Sequence, residues 1–455
     1  MSLLFTDLYE LTMAQGYWVH GRAEEEAVFH LAYRDAPPEA ACVLACGLEP
    51  LLRWLEDFAP TADDLSYLGS LTAPDGTQLF QAGFLDTLAS LQFTADVDAV
   101  PEGTAVFPGG PLLRVQGPLM QAQMIETAAL NLLGYASLVM TQAAQVCAAA
   151  QGDSVLEFGL RRAQGPDGGH TASRAAYLGG CTATSNLVAA QRWNIPVRGT
   201  HAHSWVMSFD DEQDAFAAYL ASAPNNSILL VDTYDVATGL DRAIAAGQQL
   251  TARGGEFSGV RLDSGDLGHW ARVARQKLDA AGFAATRIVA SGGINAREVR
   301  SLKRDGAPID IWGVGTWLVT GGETAALDTT YKLGAIRRSA RDPWSPRMKR
   351  SASPRKHSLP GLPQILRTTR DGAAVGDVIY SIDDPTPEAP RDHEAEPLLV
   401  PQMRGGRRVA TAPGTEQIRQ HAARQAPLLQ TAEYPVSHDP ALRETISRLC
   451  AAAEP

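Results

Sequence analysis

Through the middle of the chain, short runs of apolar and β-branched residues recur at SVLEF (154 to 158), IPVRG (195 to 199), SILLVD (227 to 232), SGVRLD (258 to 263), RIVAS (287 to 291) and IDIWG (309 to 313). Between most of them lie alanine-rich stretches such as VATGLDRAIAAGQQL, HWARVARQKLDAAG and NAREVRSLKRDG, whose apolar positions repeat with the helical period. From residue 229 onward strand and helix alternate every 22 to 31 residues. Strands that are apolar throughout, rather than at every second position, belong to a parallel sheet covered by helices. The economical closure of that pattern is an α/β barrel.

The flanks read differently. VDAVPEGTAVFPGGPLLRVQGP (97 to 118) is dense in Gly and Pro turns around short apolar strands, which predicts a compact antiparallel β unit. A long helix over 119 to 150 then leads into the barrel. After residue 333 the alternation stops and proline rises, so the C-terminal part is expected to return and pack on the N-terminal one. The domains are therefore drawn at 1–140, 141–332 and 333–455.

Composition narrows the class. With 455 residues, 45% hydrophobic and 20% charged, the chain lies in the range of ordinary globular proteins of two or three domains. Its first residues lack a basic region followed by an apolar stretch, and its most apolar segment, 124 to 150, is interrupted by Glu126, Asn131 and several glutamines; a cytoplasmic location is the expectation. The five cysteines are scattered, with no CxxC pattern; Cys42 and Cys46 suggest two buried thiols on a helix. A net charge of −12 argues against nucleic acid as a partner. Only residues 337 to 358, with eight Arg or Lys against Asp342 alone, run the other way, and they read as a solvated connector.

In such barrels the chemistry comes from the loops after the strands. GVRLDSGDLG supplies Arg261, Asp263 and Asp266: a guanidinium fork for a phosphate, and carboxylates for sugar hydroxyls or Mg²⁺. VASGGIN sets Ser291, Gly292 and Gly293 before a helix start, where bare backbone N–H groups can approach an anion, and WGVGTW repeats the device one strand later with Gly313, Gly315 and Thr316. EFGLRRAQG places Phe158, Arg161 and Arg162 just past a strand end; the ring is either core or a stacking face for an aromatic anion. LVDTYD ends in Asp232, Thr233 and Asp235, suited to ribose hydroxyls or to a helix N-cap. On a strand, the two histidines of GTHAHSWV, His201 and His203, would face the same way. No third imidazole or thiolate stands at a metal-site spacing, so metal binding is the weaker option. An imidazole at a strand end among phosphate loops is instead a plausible nucleophile toward a phosphoryl group.

FTDLYELTMAQGYW, EFGLRRAQGPDG, ASRAAYLGGCTATSNLVA, GTHAHSWV, LLVDTYD and VRLDSGDL, in this order with the glycine loops, closely resemble the nicotinate phosphoribosyltransferases over about residues 5 to 335. The resemblance implies an irregular α/β barrel, of the type II phosphoribosyltransferase kind, and an α/β sandwich domain split between the N- and C-terminal segments. It implies a homodimer that joins nicotinate to phosphoribosyl pyrophosphate while ATP is hydrolysed through a phosphohistidine, with Mg²⁺ present. On the family's motifs the phosphoryl acceptor falls on His203, with His201 a neighbour. Phe158 matches the residue stacked on the pyridine ring and Tyr9 the aromatic donated across the dimer. Arg161 and Arg261 match anion-binding arginines, Asp232 and Asp263 lie near the ribose, and Gly292, Gly293, Gly313 and Gly315 surround the 5′-phosphate. Two departures stand out: Trp317 follows GVGT where a polar or basic residue is expected, and SLPGLPQILR lacks the basic pair of the family's late motif. The rival readings are the sister enzyme that uses nicotinamide and a catalytically silent phosphosugar-binding barrel.

Overall fold

Short strands that are buried on both faces must be covered on both, and in the centre of the chain helices cover one of them. The computed structural model describes residues 2–351 and 357–451 and divides into two units, Val139–Ala325 and Met1–Leu138 with Ala326–Pro455. Of the basic stretch at 337 to 358, residues 352–356 lie outside the described residues.

The Val139–Ala325 unit is built on a curled sheet of six parallel strands. They are hydrogen-bonded in the order Ala183–Thr184, Ser154–Glu157, Ile311–Val314, Arg287–Ala290, Gly259–Leu262, Ile228–Leu230. The irregular barrel is thus a half-barrel, open between its first and last strands. Leu156, Ala183, Val289 and Ile311 meet inside it, with Phe158 and Ile228 packed against them. The loops that leave the strands are stopped by side-chain caps. Asp235 accepts from the Thr238 N–H, Asp266 from the His269 N–H and Asn295 from the Glu298 N–H, each opening the helix that returns over the sheet. Asp235 and Asp266, two candidates for sugar or metal contact, are therefore helix caps.

The expected strand over 195 to 199 is reduced to one bridge, Val197 to Thr184. Pro196 has no amide hydrogen for a ladder, so this segment crosses the open edge as irregular chain: the Thr184 N–H donates to Pro196 O and the Arg198 N–H to Thr184 O. The strand at this edge is instead Ala183–Thr184, too short to register as an apolar run.

In the other unit, Glu26–Tyr33 lies between Pro111–Pro118 and Thr329–Arg337, antiparallel to both, and Val400–Arg404 adds to Asp96–Ala99. The C-terminal segment does return to the N-terminal sheet. The helix expected over 119 to 150 is two, Leu119–Met124 and Glu126–Ala149, parted at Ile125, whose ψ of −1° is well off the regular α-helical value. Glu126–Ala149 is apolar and long enough to span a membrane, but 83% of its apolar window is buried. Cys42 and Cys46 are buried as expected but flank the strand Val43–Leu44, paired with Ala105–Val106, rather than sitting on a helix.

One buried ion pair fixes the C-terminal strands of this unit. Arg367, 2% exposed, donates from Nε and Nη2 to the two carboxylate oxygens of Asp377 at 2.8 and 2.7 Å, and from Nη2 to Ala105 O. Arg367→Met strands the Asp377 charge in the interior. It is expected to cost on the order of 3–5 kcal/mol, read as a fall in the urea midpoint of this unit.

Candidate active site

The curl of the sheet brings the C-terminal ends of neighbouring strands together, so residues 28 to 32 apart in sequence become partners. Asp232, 9% exposed, sits just past Ile228–Leu230. Its Oδ2 accepts from the Asp263 N–H at 2.9 Å and the Ser264 hydroxyl at 2.6 Å. Asp263 in turn takes the Ser291 hydroxyl on Oδ1. Three consecutive strand ends are thereby tied through two carboxylates. The other oxygen of Asp232, Oδ1, is buried and has no partner among the described residues.

Gly292 closes the arrangement. At φ +91° a Cβ there would lie 1.8 Å from the Asp263 carbonyl oxygen, so the loop approaches that strand end as bare backbone. Gly293, at φ +71°, has nothing within 4 Å of its missing Cβ and faces open space. On the next strand a Cβ at Gly313 would meet the Phe158 ring at 2.8 Å, and one at Gly315 the Phe158 carbonyl oxygen at 3.2 Å. Gly313 thus makes room for the aromatic ring beside Ser291. Thr316 is exposed at the start of the single turn Thr316–Val319. The Trp317 ring lies against Gly322.

The residue before Phe158 is a buried carboxylate that its position in an apolar run concealed. Glu157, 1% exposed, accepts from the Ser173 hydroxyl at 2.8 Å, from the Thr184 hydroxyl at 2.5 Å and from the Gly159 N–H. The Phe158 N–H donates to Val314 O at 2.8 Å. The signal for Glu157 was a charged residue inside a strand otherwise apolar, a placement that calls for local donors. The ring and Arg261 line a cavity of about 1270 Å³ inside the half-barrel, with Leu156, Val289 and Ile311. Burial lowers the Arg261 pKa, while Asp263 and Asp232 act in the opposite sense, and the exposed Arg161 on the turn Leu160–Arg162 adds a second positive charge nearby. Arg261 Nη2 donates to His201 O at 3.0 Å; its Nε is buried without a partner among the described residues.

The two histidines separate. They do not share a strand: His203 opens the short helix His203–Met207 and His201 lies in the loop before it. His203 keeps 41% of its side chain exposed. Its Nδ1 lies 3.1 Å from the Thr233 hydroxyl and its Nε2 4.0 Å from Asp263 Oδ2. His201 is 7% exposed, and both its ring nitrogens face main-chain groups. Among the described residues no three His, Cys, Asp or Glu groups assemble as a metal cage.

Tyr9 belongs to the other unit, on the helix Leu8–Val19. Its side chain is among the exposed large hydrophobics, at 45%. Partial burial of the phenol, with Glu126 and Glu10 beside it, raises its pKa and keeps it neutral.

The family model for the nicotinate phosphoribosyltransferase N-terminal domain matches residues 4–134, and that for the nicotinate phosphoribosyltransferase family matches 154–337, the stretch that holds all these strand ends. The chain belongs to the nicotinate phosphoribosyltransferase family. It is 40% identical to a nicotinate phosphoribosyltransferase of Mycobacterium tuberculosis over 93% of its own length and 84% of that protein's. With the Bacillus subtilis enzyme of that name it shares 39% over 80% and 72%. The crystal structure of human nicotinic acid phosphoribosyltransferase superposes with a TM-score of 0.84 at 32% identity, covering 98% of this chain and all of that one. A nicotinate-nucleotide pyrophosphorylase from Pyrococcus furiosus, at 22% identity and a TM-score of 0.73 over 93% and 95% of the two chains, shares the fold.

The two glycines of the Ser291–Gly292–Gly293 turn make a contrast. Gly293→Ala meets only its positive φ and is expected to cost about 1–2 kcal/mol. Gly292→Ala must in addition push the Asp263 strand end away and is expected to cost clearly more, measured as the difference between the two urea midpoints.

Proposed function

We propose that this member of the family forms nicotinate mononucleotide and pyrophosphate from nicotinate and phosphoribosyl pyrophosphate, with ATP hydrolysed through a phosphohistidine at His203. The observation that carries the reading is the edge shared by His203, Asp263 and the Gly292–Gly293 turn: a solvent-facing imidazole, a carboxylate and a bare-backbone loop on adjoining strand ends.

Each part has a task that its surroundings suit. The backbone of Gly292, Gly293, Gly313 and Gly315, with the Thr316 hydroxyl, takes the 5′-phosphate, while the Ser291 hydroxyl, given to Asp263, holds the turn. Phe158 offers one face to the pyridine ring. Arg261 and Arg161 answer its carboxylate, which is why nicotinate is preferred here over nicotinamide: a buried guanidinium gains a charged partner only from the acid. Tyr9, neutral and exposed, supplies the second face from the other protomer of a homodimer. Asp232 and Asp263 approach the ribose. Breaking the bond from C1 to the diphosphate builds positive charge on the sugar, and the carboxylates next to it stabilise that charge.

Mg²⁺ fits this set without a cage of its own. The unpartnered Asp232 Oδ1 and the Asp263 carboxylate are hard oxygen donors, and Mg²⁺ commonly uses one or two carboxylates together with substrate phosphates. When bound it supplies neutralising charge to the diphosphate.

For the phosphoryl step, Thr233 selects the nitrogen. With the Nδ1 hydrogen given to the Thr233 hydroxyl, Nε2 carries the lone pair on the side of Asp263. Nε2 attacks the γ-phosphorus of ATP, an N–P bond forms, and the bond to the bridging oxygen of departing ADP breaks. The added charge beside Asp263 then reorganises the site and couples ATP to substrate binding.

Incubation with γ-labelled ATP is expected to give an acid-labile, base-stable label that is lost in His203→Ala, together with ATP stimulation of nicotinate mononucleotide formation. Label that survives the substitution would place the acceptor elsewhere. No label with full activity would remove ATP coupling and leave the transferase.

A further inference from the structure

His201 has no part in the chemistry above, yet it makes the more elaborate contacts of the pair. Where Ile228–Leu230 forms the edge of the sheet, the Val231 N–H donates to Arg261 O, so the preceding amide, of Leu230, points the opposite way, toward the open side of the half-barrel. Among the described residues no strand lies there to receive it. His201 Nε2 accepts it at 3.1 Å. The ring is seated edge-on to Tyr219, centroids 4.6 Å apart, with Phe216 at 6.2 Å.

Accepting from an amide requires a lone pair on Nε2, so the ring proton is on Nδ1, which lies 3.4 Å from Ala202 O. Burial holds the ring in that neutral form by lowering its pKa to about 4, and the charges of Arg261 and His203 push the same way. From the main chain of the same residue, the His201 carbonyl accepts Arg261 Nη2 at 3.0 Å. Two residues on stands His203. At the other end of the crossing, Asn226 Nδ2 donates to Gly199 O at 2.9 Å.

We infer that His201 is a positioning residue: its imidazole, by accepting the Leu230 N–H, pins segment 199–203 across the open edge of the sheet and so aims both the Arg261 guanidinium and the His203 ring. This rests on the site assignment proposed above, in which those two side chains meet substrate. The histidine pair thus divides into two separate tasks, one reacting and one holding.

The test compares three full-length variants by steady-state formation of nicotinate mononucleotide, with the thermal midpoint of each measured alongside. His201→Leu keeps an apolar filling but offers no acceptor; His201→Gln restores an acceptor at similar reach; Arg261→Lys reports on the site itself. His201→Leu is expected to lower kcat/KM by on the order of 10²-fold through misplacement of the site, and His201→Gln to recover most of it, although both lose packing against Tyr219. If Leu and Gln are equally impaired, His201 is packing only and the inference fails; it fails equally if His201→Leu keeps wild-type kcat/KM. Should His201→Leu not fold, the Gln variant decides alone, near-wild-type rate supporting and a loss on the order of 10²-fold overturning. An Arg261→Lys variant with unchanged kinetics would bring down the site assignment instead.

Discussion

The site depends on the way the carboxylates of Asp232 and Asp263 bind neighbouring strand ends to one another. A parallel sheet fixes its strands through main-chain bonds, but those bonds stop where the loops begin. Beyond that point Asp232 receives the amide of Asp263 and the hydroxyl of Ser264, and Asp263 receives Ser291. Gly292 then lies so close to the Asp263 carbonyl that no side chain fits. Loops that would otherwise differ in height and direction are locked into one rim. The groups proposed to hold phosphate, sugar and the reacting imidazole stand on it.

A second constraint comes from the half-barrel being open. An open parallel sheet leaves a row of amides without partners at its edge, and here irregular chain satisfies them: Pro196 and Arg198 around Thr184 on one side, His201 at Leu230 on the other. The same crossing carries His203. Closing the edge and presenting the proposed nucleophile are thus one structural act. The interior, only partly filled by Leu156, Ala183, Val289 and Ile311, keeps a cavity that Phe158 and Arg261 help to line.

Much of this was legible in the chain. The runs at 154, 228, 259, 287 and 311 are strands because Val, Ile and Leu there are buried on both faces, and the polar residues that follow each run mark the rim. What misled was local. IPVRG looks like a strand, but its proline and the absent neighbour leave one bridge; Ala183–Thr184, a true strand, is two residues long. The spacing of His201 and His203 suggested a shared face only on the premise of extended chain, and the helix start at 203 turns the rings apart. Asp235 and Asp266 have the composition of ligands and the positions of caps. Glu157 escaped notice because its partners, Ser173 and Thr184, are distant in sequence.

The most direct test of this rim as the nucleotide site is the crystal structure of the protein with nicotinate mononucleotide bound. The pyridine ring should lie on Phe158 with its carboxylate toward Arg261, and the 5′-phosphate should rest on the Gly292–Gly293 and Gly313–Thr316 backbones with the ribose near Asp232. A nucleotide bound away from that rim, or one whose phosphate touches none of the glycine loops, would contradict it.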